Sequence, residues 1–319
     1  MTNQKKFIVS HAPFWHDGSC ISARSYHTML AALPALLFGI FQYGMPAVGV
    51  VTFSIGCAML WEVILNFAMK RSVSIGDGNA AVIGLLLAML LPATAPWWFV
   101  VVGTFLAIVV GKMIYGGIGG NSFNPVVVAI AILGISSSNV LDFNEAYINY
   151  DFSFAMLYPL ATLKAYGVSA VSGFNAGDLL MGKQIGGIGA TFGLGLIIGG
   201  IYLIIRGFIR WEIAVSFLVG VFVTAMLFNM ADSSKYAGAG FHLLTGYTLI
   251  GAFFLASEDS SSPVNFVPMI LYGLFAGLMT VLIRNIGAYI DGVIYAILVA
   301  NLLSPVLDKI RPKVIGKVA

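Results

Sequence analysis

Charge is scarce in this sequence. Its 319 residues include 16 basic and 13 acidic side chains, so 9% are charged, against roughly 25% in ordinary soluble domains. That is too little to cover a water-facing surface of this size, which excludes a soluble globular protein. Cysteine is scarcer still, with only Cys20 and Cys57. A disulfide scaffold is therefore excluded, and structural zinc or an iron–sulfur cluster held by this chain alone lacks ligands. There is no H-E-x-x-H, no histidine pair at i, i+4 and no G-x-x-x-x-G-K-[ST], so metal-assisted hydrolysis and a nucleotide-driven pump have no motif. No nucleic-acid partner is expected.

What the chain has in quantity is apolar sequence: 59% of its residues are hydrophobic. This predicts an all-α polytopic membrane protein in a lipid bilayer, since a crossing needs about 20 largely apolar residues. Long stretches occur at 26–43, 46–69, 96–115, 191–206, 210–230, 264–283 and 286–304. Shorter ones, at 79–91, 124–138 and 241–257, are bracketed by Gly, Pro or Asn. Ten transmembrane helices result. The short ones read either as plain helices in a tilted bundle or as discontinuous helices whose ends face a ligand near the membrane interior.

Basic residues test this count. With a cytoplasmic N-terminus, the inner segments hold Lys5, Lys6, Arg24, Lys70, Arg71, Lys112, Arg206, Arg210, Lys309, Arg311, Lys313 and Lys317, and the outer ones Lys164, Lys183, Lys235 and Arg284. That asymmetry follows the positive-inside rule, placing both termini in the cytoplasm of an inner-membrane protein. The predicted organisation is a cytoplasmic segment 1–25 (without a signal-peptide h-region), a five-helix repeat 26–138, an extracytoplasmic loop 139–190, a second repeat 191–304 and a basic cytoplasmic tail 305–319. Five crossings per half is an odd number, so the halves enter from opposite sides and form inverted repeats, with 79–91 matching 241–257. The loop's Tyr and Phe residues predict order there.

Ionisable groups in the membrane are few. His27 and His242 could in principle ligate haem, although a hydrogen-bonding histidine near each helix start is the simpler reading. Glu62 and Glu212, each after a Trp, read as interfacial anchors or functional carboxylates, and Asp291 and Lys112 share that ambiguity. The richer signal is glycine. Gly116-Gly117-Ile118-Gly119-Gly120-Asn121-Ser122-Phe123-Asn124-Pro125 precedes a short helix, where bare backbone and free helical N–H groups suit a ligand. Gly76-Asp77-Gly78-Asn79 and Gly186-Gly187-Ile188-Gly189-Ala190-Thr191 repeat the arrangement. Three such runs with aromatic neighbours suggest a flat ligand with polar edges.

At these residues the chain resembles a known family. The runs GDGNAAVIGLLLAMLLP, GGIGGNSFNPVVVAIAIL, GGIGATFGLGLIIGGIYL and HLLTGYTLIGAFFLASEDSSSPV resemble the D subunit of the Rnf complex, and are similar to the B subunit of the sodium-translocating NADH:quinone oxidoreductase. The resemblance implies a urea-transporter-like fold of two inverted five-helix repeats. It also implies a flavin-bearing electron carrier in a redox-driven translocase that couples electron transfer between ferredoxin and NAD to Na⁺ or H⁺ movement. Implied partners are membrane subunits with an iron–sulfur centre, an extracytoplasmic flavoprotein subunit, and cytoplasmic NADH- and ferredoxin-reacting subunits. Implied cofactors are FMN, joined to a threonine of a Ser/Thr-Gly-Ala-Thr-Pro-Leu pattern in the outer loop, and riboflavin as a second flavin. The carried-over flavin positions are Asn121, Phe123 and Asn124, with Asp77, Asn79 and His242.

The sequence departs from the pattern at the attachment point. In Ala155-Met156-Leu157-Tyr158-Pro159-Leu160-Ala161 the expected threonine is Tyr158. The flavin is then either held without a covalent bond or attached at a shifted threonine, Thr162 or Thr191. Two other functions stay open: a solute channel of the urea-transporter type, and a structural subunit that has lost its flavin.

Overall fold

The computed structural model describes residues 20–72, 74–152, 154, 156–171 and 173–311. Most of the predicted segment 1–25, most of the tail, and Ala155 lie outside them. The described residues are helical and include no strand. Helices α1 (Ile21–Tyr43), α2 (Met45–Ala68), α3 (Asn79–Leu90), α4 (Trp97–Met113) and α5 (Pro125–Ser136) come first. Four short helices follow in the long loop: α6 (Phe143–Ala146), α7 (Pro159–Tyr166), α8 (Val168–Val171) and α9 (Ala176–Leu180). Then come α10 (Gly193–Ile205), α11 (Trp211–Ala231), α12 (Ala239–Leu244), α13 (Thr248–Leu255, π-helical from Gly251), α14 (Phe266–Asn285) and α15 (Val293–Leu307).

Three of these, α2, α11 and α14, are long and apolar enough to cross a membrane by themselves. Two stretches expected to be long are shorter as helices. In place of 191–206 the helix is α10, with 13 residues, and in place of 286–304 it is α15, with 15. Twelve-residue α3 rises ~18 Å, well short of a ~30 Å hydrocarbon core. The outward surface suits lipid: Phe41, Met45, Phe67, Ile205 and Met230 are all largely exposed. This is a membrane protein whose short helices are completed by non-helical chain buried in protein.

Local sequence explains the breaks. Leu91 is extended, as a residue before proline must be, and this ends α3. The loop 186–189 then meets that end: Ile188 N–H donates to the Leu91 carbonyl (3.0 Å) and Gly189 N–H to that of Met89 (2.9 Å). A Cβ on Gly187 would come within 2.6 Å of the Met89 oxygen. This glycine run, expected to cradle a ligand, instead closes the end of α3. Between α12 and α13 the chain is broken at Thr245–Tyr247, with Gly246 at φ +65°. The 241–257 segment is thus a discontinuous helix.

The described part of the long loop is ordered, as its aromatics predict. Tyr147 stacks on Tyr43 of α1 at 4.6 Å, and its hydroxyl donates to the Gly186 carbonyl and accepts from Ala93 N–H. Around the bundle, α2 packs on α3 and α4, α11 on α12 and α14, α4 on α5, α14 on α15, and α1 on α10.

Candidate functional site

A cavity of about 640 Å³ opens at one end of the bundle. Its wall combines the starts of α1 (Arg24, Ser25, Thr28), α3 (Asn79, Val82, Ile83) and α5 (Asn124, Pro125, Val126) with the ends of α4 (Lys112), α10 (Leu203), α13 (Phe253, Phe254) and α15 (Ser304). The glycine run contributes Gly119, Gly120, Asn121 and Ser122, and the segment after α13 contributes Ser257 to Ser262. Gly119 has φ +83°, a conformation that favours glycine, and brings bare backbone to the wall.

Asn121 is buried, and its amide donates to the Phe123 carbonyl (3.1 Å) and to Glu258 Oε1 (3.1 Å). Glu258 also accepts from the hydroxyls of Ser260 and Ser261. This carboxylate fixes which way the Asn121 amide faces. Asn124 works differently. Its Oδ1 accepts from the N–H groups of Val126 (2.9 Å) and Val127 (3.2 Å), and its Nδ2 donates to the Leu255 carbonyl (3.0 Å). It caps α5 and fastens the end of α13 to that helix. The α5 terminus, expected to offer free N–H groups, is closed by this cap and by Pro125. Asp77 Oδ1 accepts from Asn79 N–H (2.8 Å), which shapes the chain entering α3. At the mouth, Arg24 forms an ion pair with Asp259.

The structure thus gathers Asn79, Asn121 and Asn124 in one wall, with Asp77 and Phe123 hydrogen-bonded to them from outside it. The other predicted residues lie toward the opposite end. His242 in α12 is fully buried with neither ring nitrogen hydrogen-bonded among the described residues, and its carbonyl accepts from Arg284 Nη1 (2.8 Å). The Thr162 hydroxyl is buried and donates to the Tyr158 carbonyl (3.0 Å). Thr191 Oγ1 and the Tyr158 hydroxyl are buried without a hydrogen-bond partner among the described residues, beside a void too small for water. All three hydroxyls are buried, and Tyr158 also lines a separate cavity of about 240 Å³ with Phe143, Tyr247 and Tyr289.

Sequence similarity assigns the chain. The family model described as NQR2, RnfD, RnfE family matches residues 8–316. The chain belongs to this family. Among its relatives is the D subunit of the Na(+)-translocating ferredoxin:NAD(+) oxidoreductase complex of Acetobacterium woodii, 32% identical over 309 residues and covering 96% of this chain and 94% of that one. The D subunit of the proton-translocating ferredoxin:NAD(+) oxidoreductase complex of Clostridium ljungdahlii is 32% identical over 310 residues, covering 95% and 94%. A third relative is the D subunit of the ion-translocating oxidoreductase complex of Halorhodospira halophila, 31% identical over 321 residues and covering 91% and 90%. The expected resemblance to the D subunit of the Rnf complex therefore holds, and these homologues are subunits of redox enzyme complexes.

For this family member, several wall residues went unnoticed in the sequence. Glu258 and the serines after it lie in a polar run, 257–262, closing a short apolar segment, a signal that was available. Glu62 and Lys112, each left open in the sequence between an interfacial anchor and a functional group, form a buried ion pair (2.9 Å; side chains 1% and 2% exposed). They come from different helices, and neither sequence neighbourhood announces the other.

Proposed function

We propose that this chain is the flavin-holding membrane subunit of an Rnf-type complex, passing electrons between partner redox subunits while the assembly moves Na⁺ or H⁺. The observation that carries this reading is the cavity uniting Asn79, Asn121 and Asn124. Its volume falls within the roughly 300–1,000 Å³ of small-molecule sites. Phe253, Phe254, Val82, Ile83 and Leu86 supply apolar faces for a ring, and the asparagines and serines supply its polar edge. The mouth carries Glu258, Asp259 and Asp308 against Arg24, which disfavours a phosphate and favours riboflavin over FMN. A bound flavin supplies one- and two-electron chemistry. This chain's part is to orient the ring through Asn121, held by Glu258, and to exclude water with the apolar wall.

The same reading takes the flavin to be dissociable, because Tyr158 stands where the resemblance implies a threonine and Thr162 and Thr191 are buried away from the cavity that holds the asparagines. It also takes the chain to have ten crossings in two inverted repeats. Support comes from the cavity, which collects starts of odd-numbered crossings and ends of even-numbered ones, as alternating spans require. It comes too from matched packing: α2 on α4 beside α11 on α14, and α4 on α5 beside α14 on α15. Charge asymmetry supports a cytoplasmic face for the cavity.

Flavin analysis of the purified complex before and after denaturation tests the reading. The expected result is flavin released by denaturation and an intact mass for this chain equal to its sequence mass. A flavin-modified peptide would overturn the dissociable form. A colourless chain with solute flux in liposomes would instead support the channel.

A further inference from the structure

Among the described residues two ion pairs are buried in the bundle, and they differ in how fully their hydrogen bonds are made. Arg284 donates to Asp291 Oδ1 (2.9 Å), the carbonyls of His242 (2.8 Å) and Thr245 (3.2 Å), and Thr248 Oγ1 (2.9 Å). Asp291 Oδ2 in turn accepts from Tyr247 N–H (2.7 Å). That pair braces the break between α12 and α13. The other pair is less complete. Glu62 Oε1 accepts from both Lys112 Nζ (2.9 Å) and the Ser74 hydroxyl (2.6 Å), while Glu62 Oε2 is buried without a partner among the described residues. Lys112 Nζ donates to no other described residue, so its remaining N–H groups are uncommitted.

Burying a charge without full hydrogen bonding is costly, so an incomplete pair needs a reason. Its position offers one. Lys112 lines the cavity, near the end of the π-helical turns Leu106–Met113 of α4, a winding frequent at functional sites. Arg24, the cation at the mouth, is already paired with Asp259. Lys112, buried deeper than Arg24 and with N–H groups uncommitted among the described residues, is the cation of the cavity's inner wall.

We propose that Lys112 offsets the negative charge a ring in the cavity gains on reduction, with Glu62 as the counter-ion that balances Lys112 when the ring is oxidised. This rests on the flavin reading above. Reduction of the ring by two electrons, from a reduced iron–sulfur carrier or from dithionite, with uptake of one proton from water would add one negative charge to it. No bond to Lys112 forms or breaks, and its proton stays on Nζ. In this low-dielectric wall a fixed cation binds the reduced ring more tightly than the oxidised one, which raises the reduction potential by the same ratio. Lys112 is a positioning and charge-balancing residue, and the two members of the pair act in opposite directions.

The test uses the full-length chain in lipid nanodiscs, titrated with riboflavin in its oxidised and dithionite-reduced forms. Lys112→Met lowers the preference for the reduced form roughly tenfold or more, Lys112→Arg keeps it, and Glu62→Gln raises it. The double variant Glu62→Gln/Lys112→Met leaves no unpaired buried charge, so it covers a folding failure of Lys112→Met and lies between the two single variants. Riboflavin binding with an unchanged preference, or with both single variants shifting it the same way, overturns the proposal and leaves the flavin reading standing. A wild-type chain that binds riboflavin in neither form overturns both.

Discussion

Asn121 and Asn124 sit three positions apart and do different work. Asn124 makes a helix cap and a bridge to α13, so Asn124→Ala is expected to destabilise the chain by about 0.5–2 kcal/mol through the cap alone. Asn121 is held by Glu258 at the cavity wall, so Asn121→Ala is expected to weaken riboflavin binding about tenfold with little change in thermal stability. Thermal unfolding in detergent beside a binding titration separates the two; equal stability losses would contradict the division. Both asparagines were legible in the sequence because a glycine run and a proline flank them. The Glu62–Lys112 pair was not, because its members lie 50 positions apart and meet only when α2 packs on α4. His242, a flavin position only through the resemblance, lies in α12 ahead of the break at Gly246, where its carbonyl accepts from Arg284.

Among the elements, the longest apolar runs were easy to see, and their ends were not. Hydropathy has no term for a backbone that stops being helical while staying buried, so α10 and α15 proved shorter than expected. The glycine runs show the same ambiguity: 116–120 leads to the cavity, whereas 186–189 closes the end of α3 with backbone hydrogen bonds. Glycine also sets the contact of α11 with α14. A Cβ on Gly220 would come within 2.6 Å of the Leu274 oxygen, and one on Gly277 within 2.7 Å of Val221 N. Small residues of this kind let membrane helices approach closely. Gly220→Leu is expected to force these helices apart and destabilise the chain by about 1–3 kcal/mol or more, read as a lower midpoint in thermal unfolding. Gly49→Leu in α2, where a Cβ meets nothing within 4 Å, is expected to leave the midpoint close to wild type.

At the scale of the whole molecule, composition alone established a membrane protein, and similarity along nearly the whole chain established its family. The cavity itself was beyond the reach of sequence, because it is assembled from helix ends drawn from both halves of the chain. Ser122 provides a direct probe of it: the residue is exposed, lines the cavity, and lies between the two asparagines. The decisive measurement is maleimide labelling of Ser122→Cys, with Cys20→Ser and Cys57→Ser, in sealed membrane vesicles of known orientation. The account predicts labelling from the cytoplasmic face alone, slowed by added riboflavin. Labelling from the opposite face, or labelling at the same rate with and without riboflavin, would contradict it.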